Sequence, residues 1–149
     1  MEKKKETILV SACLAGVKCN YKGQDAFHPK IVGELQSAEI VCVCPEILGG
    51  EPIPRPACNL VGGDGHDVIK GKAKVIGIDG KDHTETFIRG AQKTLAIALK
   101  HNVTKAYLKK RSPSCGKGKI YDAKGEHLVN GNGILAALLM EHGIEVIPL

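Results

Sequence analysis

Apolar residues along this chain fall into short runs and longer stripes, and the two kinds alternate. Thr7–Ala12 reads Thr-Ile-Leu-Val-Ser-Ala, a short β-favouring run, and Glu39–Val43, Lys105–Lys109 and Ile144–Ile147 have the same character. Between the first two, Pro29–Ser37 predicts a short helix opened by proline. Asp82–Asn102 places Phe87, Ile88, Ala91, Leu95, Ala98 and Leu99 at helical spacing, one apolar stripe that leads into the Lys105 strand. Asn132 reads as the N-cap of a helix over Gly133–His142, with Gly143 as its C′ glycine. The order predicts an α/β, Rossmann-like open sheet of about four mainly parallel strands with flanking helices and right-handed crossovers.

Two stretches break the alternation. Cys44 to Asp67 contains Pro45, Gly49, Gly50, Pro52, Pro54, Pro56, Gly62, Gly63 and Gly65, a composition expected to exclude regular structure. Lys110 to Gly118 forms the second loop, and Val68–Ile78 is expected to be an extended, hairpin-like insertion. Long loops in a compact domain are usually functional or disordered. In an open parallel sheet both would lie at the carboxyl edge, where ligands bind.

The 149 residues suit a single domain over 1–149 with a core large enough to need no staples. Lys3, Lys4 and Lys5 precede no long apolar stretch, so the start reads as solvated rather than as a signal or anchor, and the expectation is a cytoplasmic protein without a membrane partner. Twenty-one Lys and Arg against sixteen Asp and Glu leave a charge of +5, which attracts anions but falls short of a dedicated nucleic-acid binder. Tyr21, Tyr107, Tyr121, Phe27 and Phe87 are few aromatics for a base-stacking platform.

Six cysteines without an export signal are expected to stay reduced and available as ligands. Cys13, Cys44 and Cys115 each sit just past a predicted strand. Strand ends of an open sheet converge on one crevice, so three thiols distant in sequence can meet there, which suits a metal or iron–sulfur site better than a disulfide framework. No CxxC pair is present, and chance placement of cysteines at strand ends weighs equally on spacing alone. Cys42 reads as a small buried hydrophobe in mid-strand, Cys58 as a loop bystander, and Cys19 as either structural or a fourth ligand or redox partner of Cys13. The six histidines show no ligand spacing and read as surface residues.

Five blocks then stand out in order: Ser11-Ala12-Cys13-Leu14-Ala15-Gly16-Val17-Lys18-Cys19-Asn20-Tyr21-Lys22-Gly23, Cys44-Pro45-Glu46-Ile47-Leu48-Gly49-Gly50, Pro52-Ile53-Pro54-Arg55-Pro56, Gly62-Gly63-Asp64-Gly65 and Ser112-Pro113-Ser114-Cys115-Gly116. Together they resemble the thiouracil desulfurase family. The resemblance implies an oxygen-sensitive 4Fe-4S cluster on three cysteines, matched here by Cys13, Cys44 and Cys115, and conversion of 2-thiouracil to uracil with release of sulfide. It implicates Glu46 in catalysis as general base or acid and gives Ser112 a role in positioning water or stabilising charge, with Ser114 as the competing hydroxyl. The alternatives are a flexible-loop carboxylate for Glu46 and a Ser-Pro turn that only satisfies backbone donors for the serines.

Four irons on three thiolates would leave one open position for a small thiolated substrate, whose soft sulfur suits iron. Arg55 between two prolines is a candidate for a uracil carbonyl or for a structural ion pair, and Asp64 a candidate substrate contact or turn residue. One departure from the family pattern is Cys58-Asn59, where an acidic residue is common, and this bears on substrate identity. Two other readings are carried forward. One is desulfuration or sulfur handling on thiolated tRNA bases, suggested by Lys109-Lys110-Arg111; the other is a non-enzymatic zinc module with Cys19 or Cys58 as fourth ligand.

Overall fold

Glu6–Ser11 forms the first strand, β1, and its centre, Ile8-Leu9-Val10, is fully buried. A strand with no exposed face must be covered on both sides. In the computed structural model, which describes residues 6–149, the chain continues through a 3-10 turn at Ala12–Ala15, α1 (Lys30–Ser37), β2 (Ala38–Val43), α2 (Pro45–Leu48), β3 (Cys58–Val61), α3 (Gly65–Ile69) and β4 (Lys74–Gly77). It ends with α4 (Thr84–Lys100), β5 (Lys105–Leu108), β6 (Lys119–Tyr121), β7 (Leu128–Asn130), α5 (Ile134–Glu141) and β8 (Glu145–Pro148).

The main sheet has the order β2-β1-β5-β8 with every pairing parallel, as the sequence predicts. Alternate side chains divide its two faces. Leu9, Ala106, Leu108 and Val146 pack with Phe87 and Ala91 of α4 and with Ile134, Leu135 and Leu139 of α5. Ile8, Val10 and Tyr107 pack on the other side with Ile31 of α1. Two small antiparallel pairs, β3-β4 and β6-β7, form separate two-stranded sheets.

Four expectations are corrected. Cys44–Asp67 is not devoid of regular structure. Pro45 sits at the start of α2, where its missing N–H costs nothing, and Asp64 and Asp67 form a reciprocal capping box that starts α3. Val68–Ile78 is no self-contained hairpin, because Val68 and Ile69 complete α3 while β4 pairs back with β3. Asn132 is not the cap of the last helix: Gly133 holds that place, and the N–H groups of Ile134 and Leu135 reach the carbonyls of Pro113 and Ser114 at 2.9 and 2.8 Å. Those donors are therefore spent on the Cys115 loop. Cys42 is exposed rather than buried, since β2 is an edge strand with a broken burial pattern. No helix among the described residues is long and apolar enough to cross a membrane.

Candidate active site

From β1 the chain crosses to β2 on one side and later returns to β5 on the other, so the strand order reverses between β1 and β5. Their carboxyl ends bound a crevice at this switch point. A cavity of about 580 Å³ lies there, and Cys13, Cys44 and Cys115 all line it, together with Cys19 and Cys58. The structure thus brings the three strand-end thiols to one place.

Each thiol is set by local chemistry. Cys13 lies in the turn after β1, which Gly16 closes in a left-handed conformation (φ 96°), with its N–H on the Cys13 carbonyl at 3.2 Å. Cys44 precedes α2, and α2 docks on α4 by direct backbone approach. A Cβ on Gly90 would stand 1.9 Å from the Pro45 carbonyl oxygen, and one on Gly49 would stand 1.9 Å from that of Thr86. Cys115 sits in a tight loop in which the Ser112 hydroxyl accepts the N–H groups of Ser114 and Cys115, each at 3.1 Å. An oxygen holding two donors keeps its own proton to give.

Glu46 faces the thiols. Its Oε2 lies 3.5 Å from Cys44 Sγ and 3.8 Å from Arg55 Nη2, and the two charged side chains are only 11% and 6% exposed. Arg55 also donates to the carbonyls of Cys19 at 3.0 Å and Pro52 at 3.3 Å. Arg55 thus makes the ion pair that the sequence offered as one option, while it also lines the cavity. A buried pair of this kind is costly to break from one side.

Cys19, Cys44, Cys58 and Cys115 resist ionisation. The hydrogen bond with Cys13 leads in pushing Cys19 up to about 11. Cys44 is raised well beyond the ordinary thiol range by Cys19, then by burial and Glu46. Cys115 is raised by burial first, then by Glu46. Burial, then Glu51 and Asp79, push Cys58 up to about 12. A bound cation reverses this, because a coordinating thiol is deprotonated by its metal. Among the described residues no three Cys, His, Asp or Glu side chains form a ready-made site for a single metal ion.

Two residues named from sequence lie elsewhere. Asp64 does not line the cavity; its carboxylate caps α3 and accepts the Asn132 N–H at 3.1 Å. Ser114 is buried behind the loop, where its carbonyl takes the Leu135 N–H. Sequence reasoning also missed Ser11, whose hydroxyl donates to Cys115 Sγ at 3.4 Å and accepts the Lys109 N–H at 3.0 Å. A polar residue ending the apolar run of β1 was its only signal. The β6-β7 hairpin escaped notice too, and Tyr121, Lys124 and Gly125 from it form one cavity wall near Lys110 and Arg111.

Comparison with known proteins places the chain in a family. A family model described as 2-thiouracil desulfurase matches residues 8–148. The chain is 43% identical over 141 residues to the uncharacterized protein YbbK of Bacillus subtilis (strain 168), covering 94% of this chain and 93% of that protein. Among solved structures it is similar to a [4Fe-4S]-dependent thiouracil desulfidase, TudS, with a TM-score of 0.85 and 36% identity, over 97% of this chain and 91% of the other.

Proposed function

Because the chain belongs to the 2-thiouracil desulfurase family, we propose that it is an iron–sulfur-dependent desulfurase that converts a thiolated pyrimidine such as 2-thiouracil to its oxo form and releases sulfide. Water supplies the oxygen to the ring carbon, both water protons leave with the sulfur, and no net redox change occurs. The observation that carries this reading is the convergence of Cys13, Cys44 and Cys115 on one cavity beside Glu46.

These residues fit a 4Fe-4S cluster. Three soft thiol donors line one cavity of about 580 Å³, and thiolate sulfur is the donor that holds iron–sulfur clusters. Held by Cys13, Cys44 and Cys115, such a cluster would supply a soft Lewis acid for a thiocarbonyl sulfur. Glu46, oriented by Arg55, takes a proton from the attacking water at Oε2 and passes it toward the departing sulfur. The Ser112 hydroxyl, fixed by its two backbone donors, gives its hydrogen bond to the exocyclic carbonyl oxygen or the water. Phe87 and Ile78 give the cavity wall an apolar lining against which a flat ring can rest.

Lys110, Arg111 and Lys124 at the same cavity favour a second reading, in which the thiolated base arrives within RNA. Anaerobic reconstitution with iron and sulfide, followed by a screen of 2-thiouracil, 4-thiouracil and thiolated RNA for sulfide release, tests both. Release from the free bases is the expected result. Turnover of RNA alone would select the second reading, and zinc in place of iron with no sulfide from any compound would overturn both.

A further inference from the structure

Behind the cavity, Glu51, His83 and Asp79 form a connected group that the desulfurase reading does not use. Glu51 is 6% exposed, and its Oε1 lies 2.6 Å from His83 Nδ1 and 2.7 Å from Thr86 Oγ1. On the other side of the ring, His83 Nε2 lies 3.4 Å from Asp79 Oδ1. Both ring nitrogens thus face a carboxylate oxygen. A neutral imidazole carries one N–H and can serve only one of them, whereas the imidazolium serves both. The site is also spaced for this contact: a Cβ on Gly77 would come within 2.2 Å of Asp79 Oδ1 and 2.9 Å of His83 Nε2.

The group is tied to the proposed active site from two directions. The Glu51 N–H donates to the Glu46 carbonyl at 3.0 Å, so Glu51 ends the turn that carries Cys44 and Glu46. His83 is the residue from which α4 starts, and its carbonyl accepts the N–H of Phe87, which lines the cavity. We propose that protonated His83, clamped between Glu51 and Asp79, is a positioning residue that docks the Cys44–Glu51 turn on α4, and that its deprotonation loosens Glu46 and the site.

The other charged groups about His83 are few and peripheral. Lys81 and Asp82 flank it in the exposed turn, Glu85 and Arg89 on α4 pair with each other, and Cys58 on β3 is the neutral thiol nearest Glu51 and Asp79. Burial opposes charge on His83, but the hydrogen bonds and charges of Glu51 and Asp79 outweigh it, and its pKa is raised above 6.5. A raised histidine stabilises fully below its unfolded pKa, and that contribution is lost as pH rises through the folded value. The clamp therefore weakens on the alkaline side of 6.5.

The test compares the full-length protein with His83→Gln, Glu51→Gln and their combination, with the milder Asp79→Asn as a second probe should the buried variants fold poorly. In the first arm, without any cluster, the wild-type melting temperature falls by about 2–4 °C relative to His83→Gln between about pH 6 and 8. In the second arm, on reconstituted protein, iron release to a chelator accelerates severalfold over the same range in wild type, with kcat/KM falling in parallel, and both profiles flatten in His83→Gln. Non-additive losses in the double variant are expected. Superimposable pH profiles of wild type and His83→Gln, or strictly additive losses, would overturn the clamp. This proposal rests on the desulfurase reading only in its second arm, so a protein that takes up no iron refutes that reading while the melting data still decide the clamp.

Discussion

Ser11 joins the carboxyl ends of two central strands: its hydroxyl donates to Cys115 Sγ at 3.4 Å across 104 residues of sequence while accepting the Lys109 N–H at 3.0 Å. Strands β1 and β5 meet at the switch point of the sheet, and this one oxygen sets the distance between the thiol and the backbone there. A hydrogen bond to a ligand sulfur also tunes an iron–sulfur centre.

Ser11→Ala leaves the Lys109 N–H without its partner in a half-buried position. The expected cost is about 1–3 kcal/mol, read as a lowered denaturation midpoint with unchanged m-value. The reconstituted variant keeps its iron, and its cluster oxidises at a shifted potential. An unchanged potential would make Ser11 a strand clamp alone.

The ligand assignment separates the cysteines by position. Cys13→Ala, Cys44→Ala and Cys115→Ala are each expected to lose most bound iron and the visible absorption of the cluster. Cys42→Ala is expected to keep both, since Cys42 is exposed on the edge strand β2 and absent from the cavity. Iron analysis after anaerobic reconstitution checks this, and retention of a full cluster by Cys13→Ala would remove it from the ligand set.

The parts of this molecule legible in sequence are those with a repeating pattern. The four parallel strands and the helices at Lys30–Ser37, Thr84–Lys100 and Ile134–Glu141 announce themselves by apolar runs and stripes. α2 and α3, at four and five residues, are too short to show a helical period, and their signals are local ones: Pro45 in the first turn, and the Asp64–Asp67 box. Cys13, Cys44 and Cys115 could be brought together from sequence because strand ends converge in a parallel sheet. Ser11 on Cys115, Arg55 on Glu46 and His83 on Glu51 could not, since each contact depends on how loops far apart in sequence fold onto one another.

Gly90 carries a structural demand that its helical setting conceals. Its place in α4 would tolerate alanine on propensity, yet an added Cβ meets the Pro45 carbonyl at 1.9 Å. Gly90→Ala is expected to push α2 away, lowering stability by about 1–3 kcal/mol through overpacking. Because α2 follows directly on Cys44 and contains Glu46, iron retention should fall as well. Gly33→Ala is the control, having nothing within 4 Å of its added Cβ, and should leave iron content unchanged.

Glu46 and the three cysteines proposed as ligands should fail differently when altered. Glu46→Gln keeps the size of the side chain and one oxygen toward Arg55 but abolishes basicity, so iron uptake is preserved while kcat falls by about 10²–10⁴. Loss of the charge also leaves Arg55 without its anion, and with Arg55 only 6% exposed a stability loss accompanies the kinetic one. Arg55→Lys probes that second effect separately: it retains a positive charge but not the fork whose Nη2 reaches Glu46 and the Cys19 carbonyl while Nη1 reaches the Pro52 carbonyl. Ser112→Ala removes an acceptor for two loop N–H groups, so it too keeps iron with a reduced kcat, and its loop becomes the less stable of the two. KM for the thio-substrate should change little in Glu46→Gln, because sulfur binding needs no base. Near-normal sulfide release by Glu46→Gln would take Glu46 out of the chemistry, and loss of iron together with activity would make it a structural residue of the Cys44 turn.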